Sequence, residues 1–146
     1  MSTSTIVIVV SDYNADITHR MLKLAVVLLQ ECASEYPLTI KEIIHVSGVL
    51  EMPLAVKKLL KHSEISGVLV LGAVIQGDTA HDELVAFTTV DKLLELTLQY
   101  EKPVAIGMSG PRMTRSQAIA RIDTSTRHAV EALVKQLYGG YHVLLS

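Results

Sequence analysis

The segment Gln76-Gly77-Asp78-Thr79-Ala80-His81 carries the densest candidate chemistry in the chain. Gly77 permits tight backbone geometry, Thr79 supplies a hydroxyl, and a helix starting near Asp82 would add unpaired N–H groups and a positive dipole end. Together these parts can hold a phosphate. His81 stands at the mouth of that helix, where a side chain that ordinarily titrates near neutrality can exchange protons with a bound substrate. A helix-capping loop with a surface histidine uses the same residue types, so on this evidence both readings stand.

Three other polar loops share its setting: Asp12-Tyr13-Asn14, Ser47-Gly48-Val49-Leu50-Glu51 and Ser109-Gly110-Pro111. Each follows a strand-like run. In open parallel sheets ligands gather beyond the carboxyl ends of the strands, where loops converge and helix N-termini point outward. Topology therefore predicts that the four loops build one site.

The elements that must position them are legible as apolar patterns. Residues 5–10, TIVIVV, form a continuous β-branched run and predict a buried strand. From about Asp16 to Tyr36, Ile17, Met21, Leu24, Ala25, Leu28 and Leu29 recur at helical spacing, and Pro37 stops the helix. Val26 and Val27 widen its apolar face, so it packs on two sides. Residues 38–46 predict a second strand, and Pro53 suits the first helical position before LAVKKLLKH. Residues 67–75, GVLVLGAVI, predict a strand buried on both faces. A helix over about 82–100, a strand over 103–108, and helices near 114–121 and 127–138 complete the series. Near-continuous apolar strands alternating with helices predict a three-layer α/β/α sandwich around a four-stranded parallel sheet. With 146 residues, one domain over 1–146 is expected, with its core over about 5–138. Gly139-Gly140 sets off a short apolar tail, YHVLLS, which we expect to dock on a neighbour.

Composition narrows the function class. The formal charge is -2 with acids and bases interleaved, so no basic stripe offers a nucleic acid partner a surface. The apolar stretch near Leu22–Leu29 contains Lys23 and is far short of the roughly 20 residues of a membrane span, so no membrane partner is expected. The single cysteine, Cys32, can make neither an internal disulfide nor a thiolate metal cage, which fits a reducing compartment. No export signal opens the chain, so the expected location is cytoplasmic. The six histidines are widely spaced, and none forms a convincing pair at helical metal-ligand spacing, so no metal is expected. Hydrophobic content of 49% with only 4% aromatics and no Trp suggests more apolar surface than a monomer hides, which points to an oligomer; a Leu/Val-rich core is the plainer alternative.

Several stretches together resemble one family, the lumazine synthases. Residues 72–85, GAVIQGDTAHDELV, are similar to its signature, a buried strand running into Gly-acid-Thr-X-His and a helix. Tyr13-Asn14 followed by Ile17-Thr18 resembles the aromatic-Asn-X-X-Ile-Thr opening, and Gly48-Val49-Leu50-Glu51-Met52-Pro53 resembles the Gly-X-X-Glu-X-Pro loop. Residues 109–121, SGPRMTRSQAIAR, resemble the archaeal-type branch. The likeness covers about residues 5–138, with the motifs in matching order.

The resemblance implies a flavodoxin-like fold and a transferase of riboflavin biosynthesis that needs no metal or redox cofactor. Its small-molecule substrates would be 5-amino-6-(ribitylamino)uracil and 3,4-dihydroxy-2-butanone 4-phosphate, joined to 6,7-dimethyl-8-ribityllumazine with release of phosphate and water. Carried over by motif, His81 would transfer protons, and Gly77, Asp78 and Thr79 would form the phosphate-side turn. Val74 and Ile75 would meet the pyrimidine through backbone groups, with Tyr13 stacked on the ring and Asn14 fixing the loop. Val49, Leu50 and Glu51 would line the ribityl chain, where a carboxylate accepts hydrogen bonds from hydroxyls. Arg121 matches the family's phosphate-binding arginine, a role suited to its fork. Taken singly, Tyr13 also suits a packing aromatic, Glu51 a helix N-terminal charge, and Arg121 a solvated side chain.

Two positions depart from the family pattern. Ile106 stands where many members place Phe, so it can pack on a ring without stacking. The segment IDTSTRHAV lacks the Gly-Thr-Lys-X-Gly-Asn-Lys pattern, leaving Arg127 as the stand-in for the family lysine. Family resemblance further implies homo-pentamers, or multiples of pentamers up to icosahedral shells, with sites shared between subunits. An archaeal-type riboflavin synthase is disfavoured by the His81 loop. A noncatalytic flavin- or lumazine-binding shell is disfavoured by His81 and Arg121. A generic flavodoxin-like FMN module would need a Ser/Thr-rich loop after the first strand.

Overall fold

A computed structural model describes residues 2–77 and 81–139. Its elements run β1 (Ser4–Ser11), α1 (Ala15–Cys32), β2 (Leu38–Val46), a 3₁₀ turn (Val49–Glu51), α2 (Met52–Leu60), β3 (Gly67–Ala73), α3 (Asp82–Tyr100), β4 (Val104–Ser109), α4 (Arg115–Ala120) and α5 (Ile122–Leu137). The strands form a four-stranded sheet in the order β2-β1-β3-β4, with every neighbouring pair parallel. The architecture is the expected three-layer α/β/α arrangement.

Strand alternation divides the core in two. Ile6, Ile8, Val10, Leu69, Leu71 and Ala105 face α1 and α5, where Ile17, Met21, Leu29, Ala129 and Leu133 meet them. Val7, Val9, Val68, Val70 and Val104 face α2 and α3, against Met52, Val56, Leu60, Ala86 and Leu93. Every residue of β3 is buried, as its unbroken apolar run requires. Truncating one of these side chains, such as Leu69→Ala, would cost about 2–5 kcal/mol through lost transfer energy and the cavity left behind.

Several element boundaries differ from the sequence expectations. Helix α1 ends at Cys32, not Tyr36: a residue before proline is pushed out of helical geometry, and Glu35 and Tyr36 instead direct their N–H groups at the Cys32 carbonyl. Strand β3 ends at Ala73, not Ile75. Beyond it the Val74 N–H donates to the Ser109 carbonyl at 2.8 Å and the Gln76 N–H to that of Met113, so the chain follows the turn after β4. Strand β4 itself runs one residue later than expected at each end. Helix α5 begins at Ile122, not Arg127. Its threonines are weak helix formers, but Ile122, Thr126, Ala129, Val130 and Leu133 make one buried stripe, and packing overrides propensity. The tail over 140–146 lies outside the described residues.

Candidate functional site

The loops after β1, β2 and β3 meet at the carboxyl edge of the sheet. After β1, the Asp12 N–H donates to the Val46 carbonyl at 2.8 Å and the Tyr13 N–H to that of Ser47 at 3.0 Å, so the first two loops are stitched together. Asn14 then adopts left-handed backbone geometry (φ 62°, ψ 46°), which asparagine tolerates better than most residues. Its Nδ2 donates to the Ala73 carbonyl at 3.0 Å, while its Oδ1 accepts from Arg115 Nη2 at 2.7 Å. Arg115 Nη1 also grips Asp16 at 2.7 and 2.8 Å. Asn14 is thus a brace joining the first loop to the end of β3 and the start of α4.

These contacts frame a cavity of about 280 Å³ lined by Tyr13, Val49, Leu50, Glu51, Val74 and Ile75, together with Ser11, Ser47, Gly48, Ala73 and Val85. Tyr13 is 53% exposed, so its ring is offered to the opening and is not consumed in packing. Leu50 is likewise exposed, whereas Val49, Val74 and Ile75 are buried and form an apolar floor. Ser11 Oγ is buried with no hydrogen-bond partner among the described residues, which leaves a donor and an acceptor beside the cavity. The close passage of β3 under the second loop depends on Gly72, where a Cβ would stand 2.6 Å from Val49 Cγ1.

Around the third loop, Gly77 has the positive φ (88°) that its residue type allows, and His81 stands at the N-cap position of α3. His81 is exposed, and its carbonyl accepts the Val85 N–H at 3.0 Å, placing it one turn before a cavity-lining residue. Asp78 and Thr79 lie outside the described residues. The first turn of α3 carries Asp82 and Glu83, and both are met by Arg112: its N–H donates to Asp82 Oδ2 at 3.0 Å and its Nε to Glu83 Oε1 at 2.5 Å. The Arg112 bond holds the Glu83 carboxyl below the usual carboxylate range, and the carboxylate raises the Arg112 guanidinium in turn. Any anion at this helix end would therefore face carboxylates offset by Arg112.

The remaining expected residues lie elsewhere on the chain. Ile106 lines a separate hollow with Phe87, Val90, Leu94 and Met108. Arg121 is exposed at the junction of α4 and α5, its N–H returning to the Gln117 and Ala118 carbonyls. Arg127 pairs with Asp123 one turn earlier on α5, at 3.2 and 3.3 Å, which raises its guanidinium further. None of the three lines the cavity.

Sequence reasoning missed Ser11, Val85 and Arg112, whereas Ser47 lines the cavity as part of its candidate loop. Ser11 was readable as the polar residue ending β1. Arg112 carried only a weak signal, its place in the Gly-Pro turn, because its partners are distant in sequence.

A family profile described as 6,7-dimethyl-8-ribityllumazine synthase matches residues 3–138. A protein of that name from Methanothermobacter thermautotrophicus is 51% identical over 127 residues, covering 87% of this chain and 88% of the relative. Namesakes from Methanocaldococcus jannaschii and Staphylothermus marinus are each 47% identical, covering 88% and 89% of this chain and 88% and 84% of their own lengths. Profile and identity agree: this chain belongs to the 6,7-dimethyl-8-ribityllumazine synthase family.

Proposed function

We propose that this chain is the transferase of riboflavin biosynthesis that condenses 5-amino-6-(ribitylamino)uracil with 3,4-dihydroxy-2-butanone 4-phosphate to give 6,7-dimethyl-8-ribityllumazine. The observation that carries the reading is the cavity joining an exposed Tyr13 ring, the Val49–Glu51 turn and the Val74-Ile75 floor, in a chain of this family. The ring of the pyrimidine lies on Tyr13 and over Val74 and Ile75, and the ribityl chain runs along Val49, Leu50 and Glu51.

The chemistry asks for positioning and proton transfer. The pyrimidine amine attacks the ketone and water leaves, forming a Schiff base. Loss of a proton from the hydroxyl-bearing sugar carbon then expels inorganic phosphate and leaves an enol, which tautomerises to a new ketone. The second amine closes the ring on that ketone and a further water departs. His81 takes and returns the protons in these steps. The phosphate side is assigned to Gly77, Asp78 and Thr79, and Arg121 supplies its bidentate cation.

Within one chain Ile106, Arg121 and Arg127 stand apart from the cavity, and α3 leaves Leu84, Phe87, Leu94 and Leu98 exposed. Both facts support a homo-oligomer, a pentamer or a multiple of pentamers, in which a neighbour's Ile106, Arg121 and Arg127 complete each site. Among the described residues no helix is long and apolar enough to cross a membrane. We place the enzyme in the cytoplasm, where the lone Cys32 stays reduced.

The test is kinetic. The parent chain, mixed with both substrates, should raise lumazine absorbance and release phosphate. Arg121→Ala should chiefly raise KM for the sugar phosphate, whereas His81→Ala should chiefly lower kcat. Unchanged kinetics in both variants would refute these assignments.

A further inference from the structure

Asp12, His19 and His45 are scattered in sequence, and the fold brings them together on the first loop, α1 and β2. Asp12 Oδ1 lies 2.8 Å from His19 Nε2 and 2.7 Å from His45 Nδ1. The two imidazole rings stand edge to face with centroids 5.4 Å apart, and one ligand atom from each residue lies within 4.8 Å of the others. The sequence expectation of no metal rested on helical spacing, which cannot see ligands drawn from three separate elements.

We propose that Asp12, His19 and His45 form a binding site for a borderline divalent transition metal ion, of which Zn(II) is the representative. Two imidazole nitrogens and one carboxylate oxygen make the donor set that such ions favour, while harder cations prefer oxygen alone. Three protein ligands leave a position for water, as in an open tetrahedral site. Ligand bonds of about 2.0–2.2 Å place tetrahedral donors about 3.4 Å apart, so both rings need retreat from Asp12 by only several tenths of an ångström.

The scaffold holds the donors in place before any ion arrives. The Asp12 N–H is tied to Val46, next to His45, and Thr18, next to His19, donates its Oγ1 to the Ser11 carbonyl at 2.6 Å. The register of β2 against β1 shifts between Ile6 and Val7, so that His45 is paired with Val10, whose side chain faces α1. Without that irregularity every later side chain of β2 would exchange faces and His45 would point away from His19. All three residues are at least partly exposed, so an ion can enter from solvent. None of them lines the cavity, but Asp12 directly precedes Tyr13, so a bound ion would stiffen the loop that carries the stacking ring.

The test uses the assembled, untagged chain, stripped with a chelator and titrated calorimetrically with Zn(II). The expected result is one ion per chain with a dissociation constant on the order of 10 µM or tighter. His19→Gln, His45→Gln and Asp12→Asn should each weaken binding by about tenfold or more, whereas His62→Gln and His128→Gln should leave it unchanged. Diethylpyrocarbonate labelling of the parent chain gives a readout that needs no variant: Zn(II) should protect His19 and His45 and leave His62 and His128 reactive. Absence of saturable binding, affinity indifferent to all three ligand variants, or protection spread evenly over all four histidines would overturn the proposal. None of these results bears on lumazine formation, which is measured separately.

Discussion

His81 occupies the start of α3, one turn before the cavity-lining Val85. If it carries the protons, His81→Ala should lower kcat by about a hundredfold or more, the usual scale of general acid–base catalysis, with a much smaller change in KM. Asn14 is expected to matter by a different route. Asn14→Ala removes the bonds to Ala73 and Arg115 and leaves a left-handed alanine, so chemical denaturation should show a loss of about 1–3 kcal/mol. An equal stability for parent and variant would show that the brace is idle. The carboxyls of Asp12 and Glu83 are both held below their usual range, Asp12 chiefly by its bond to His19 and then to His45, Glu83 chiefly by its bond to Arg112. A carboxyl with a lowered folded-state pKa stabilises the fold above its unfolded value and loses that contribution as pH falls through the folded one. Melting temperature should therefore decline as pH drops below the ordinary carboxylate range of about 4, and less steeply in Glu83→Gln. Both groups are exposed, so the effect is expected to be small and to shrink with added salt.

At the scale of elements, the turn after β4 depends on Gly110, whose φ is 98° and whose Cβ, if present, would overlap the Val74 carbonyl. Gly110→Ala must shift that backbone, and Val74 is part of the cavity floor. Urea unfolding should register a loss of about 1–3 kcal/mol, accompanied by a raised KM for the pyrimidine. A loss of stability with unaltered KM would separate the turn from the site. The strands and helices were legible because their signals are local: an unbroken β-branched run for β1, a doubly buried run for β3, an apolar stripe ended by Pro37 for α1. The boundaries that differed were decided by distant partners. Gln76 follows the turn after β4 because its N–H bonds to Met113, and Ile122 starts α5 because its side chain is buried. The site divides the same way. Tyr13, Val49, Leu50 and Glu51 were foreseeable from loops that end strands, and Val74 and Ile75 from the family resemblance, whereas the Arg112 contacts join residues 29 and 30 positions apart and the bond between Asp12 and His45 spans 33, which left no local pattern.

For the whole molecule, the outer face of α3 is the feature a monomer explains least well. Phe87 and Leu98 are 58% and 79% exposed on one helix, and the hollow beside Phe87 also holds Ile106. Burying such side chains between copies stabilises an assembly, each contributing about 1.5–3 kcal/mol when fully covered. Phe87→Asp should shift sedimentation from oligomer toward smaller species and depress activity in parallel. A fully active monomer would contradict a site completed by a neighbour. Mixed oligomers of Tyr13→Ala and Arg121→Ala chains should likewise recover activity, since some junctions then pair an intact cavity with an intact arginine. The most direct measurement is the simplest: the purified, associated chain is incubated with the ribitylaminopyrimidine and the four-carbon sugar phosphate, and the products are identified by absorbance and mass. The expected products are 6,7-dimethyl-8-ribityllumazine and inorganic phosphate in equal amounts; a folded, associated chain that leaves both precursors unchanged would contradict the proposed activity.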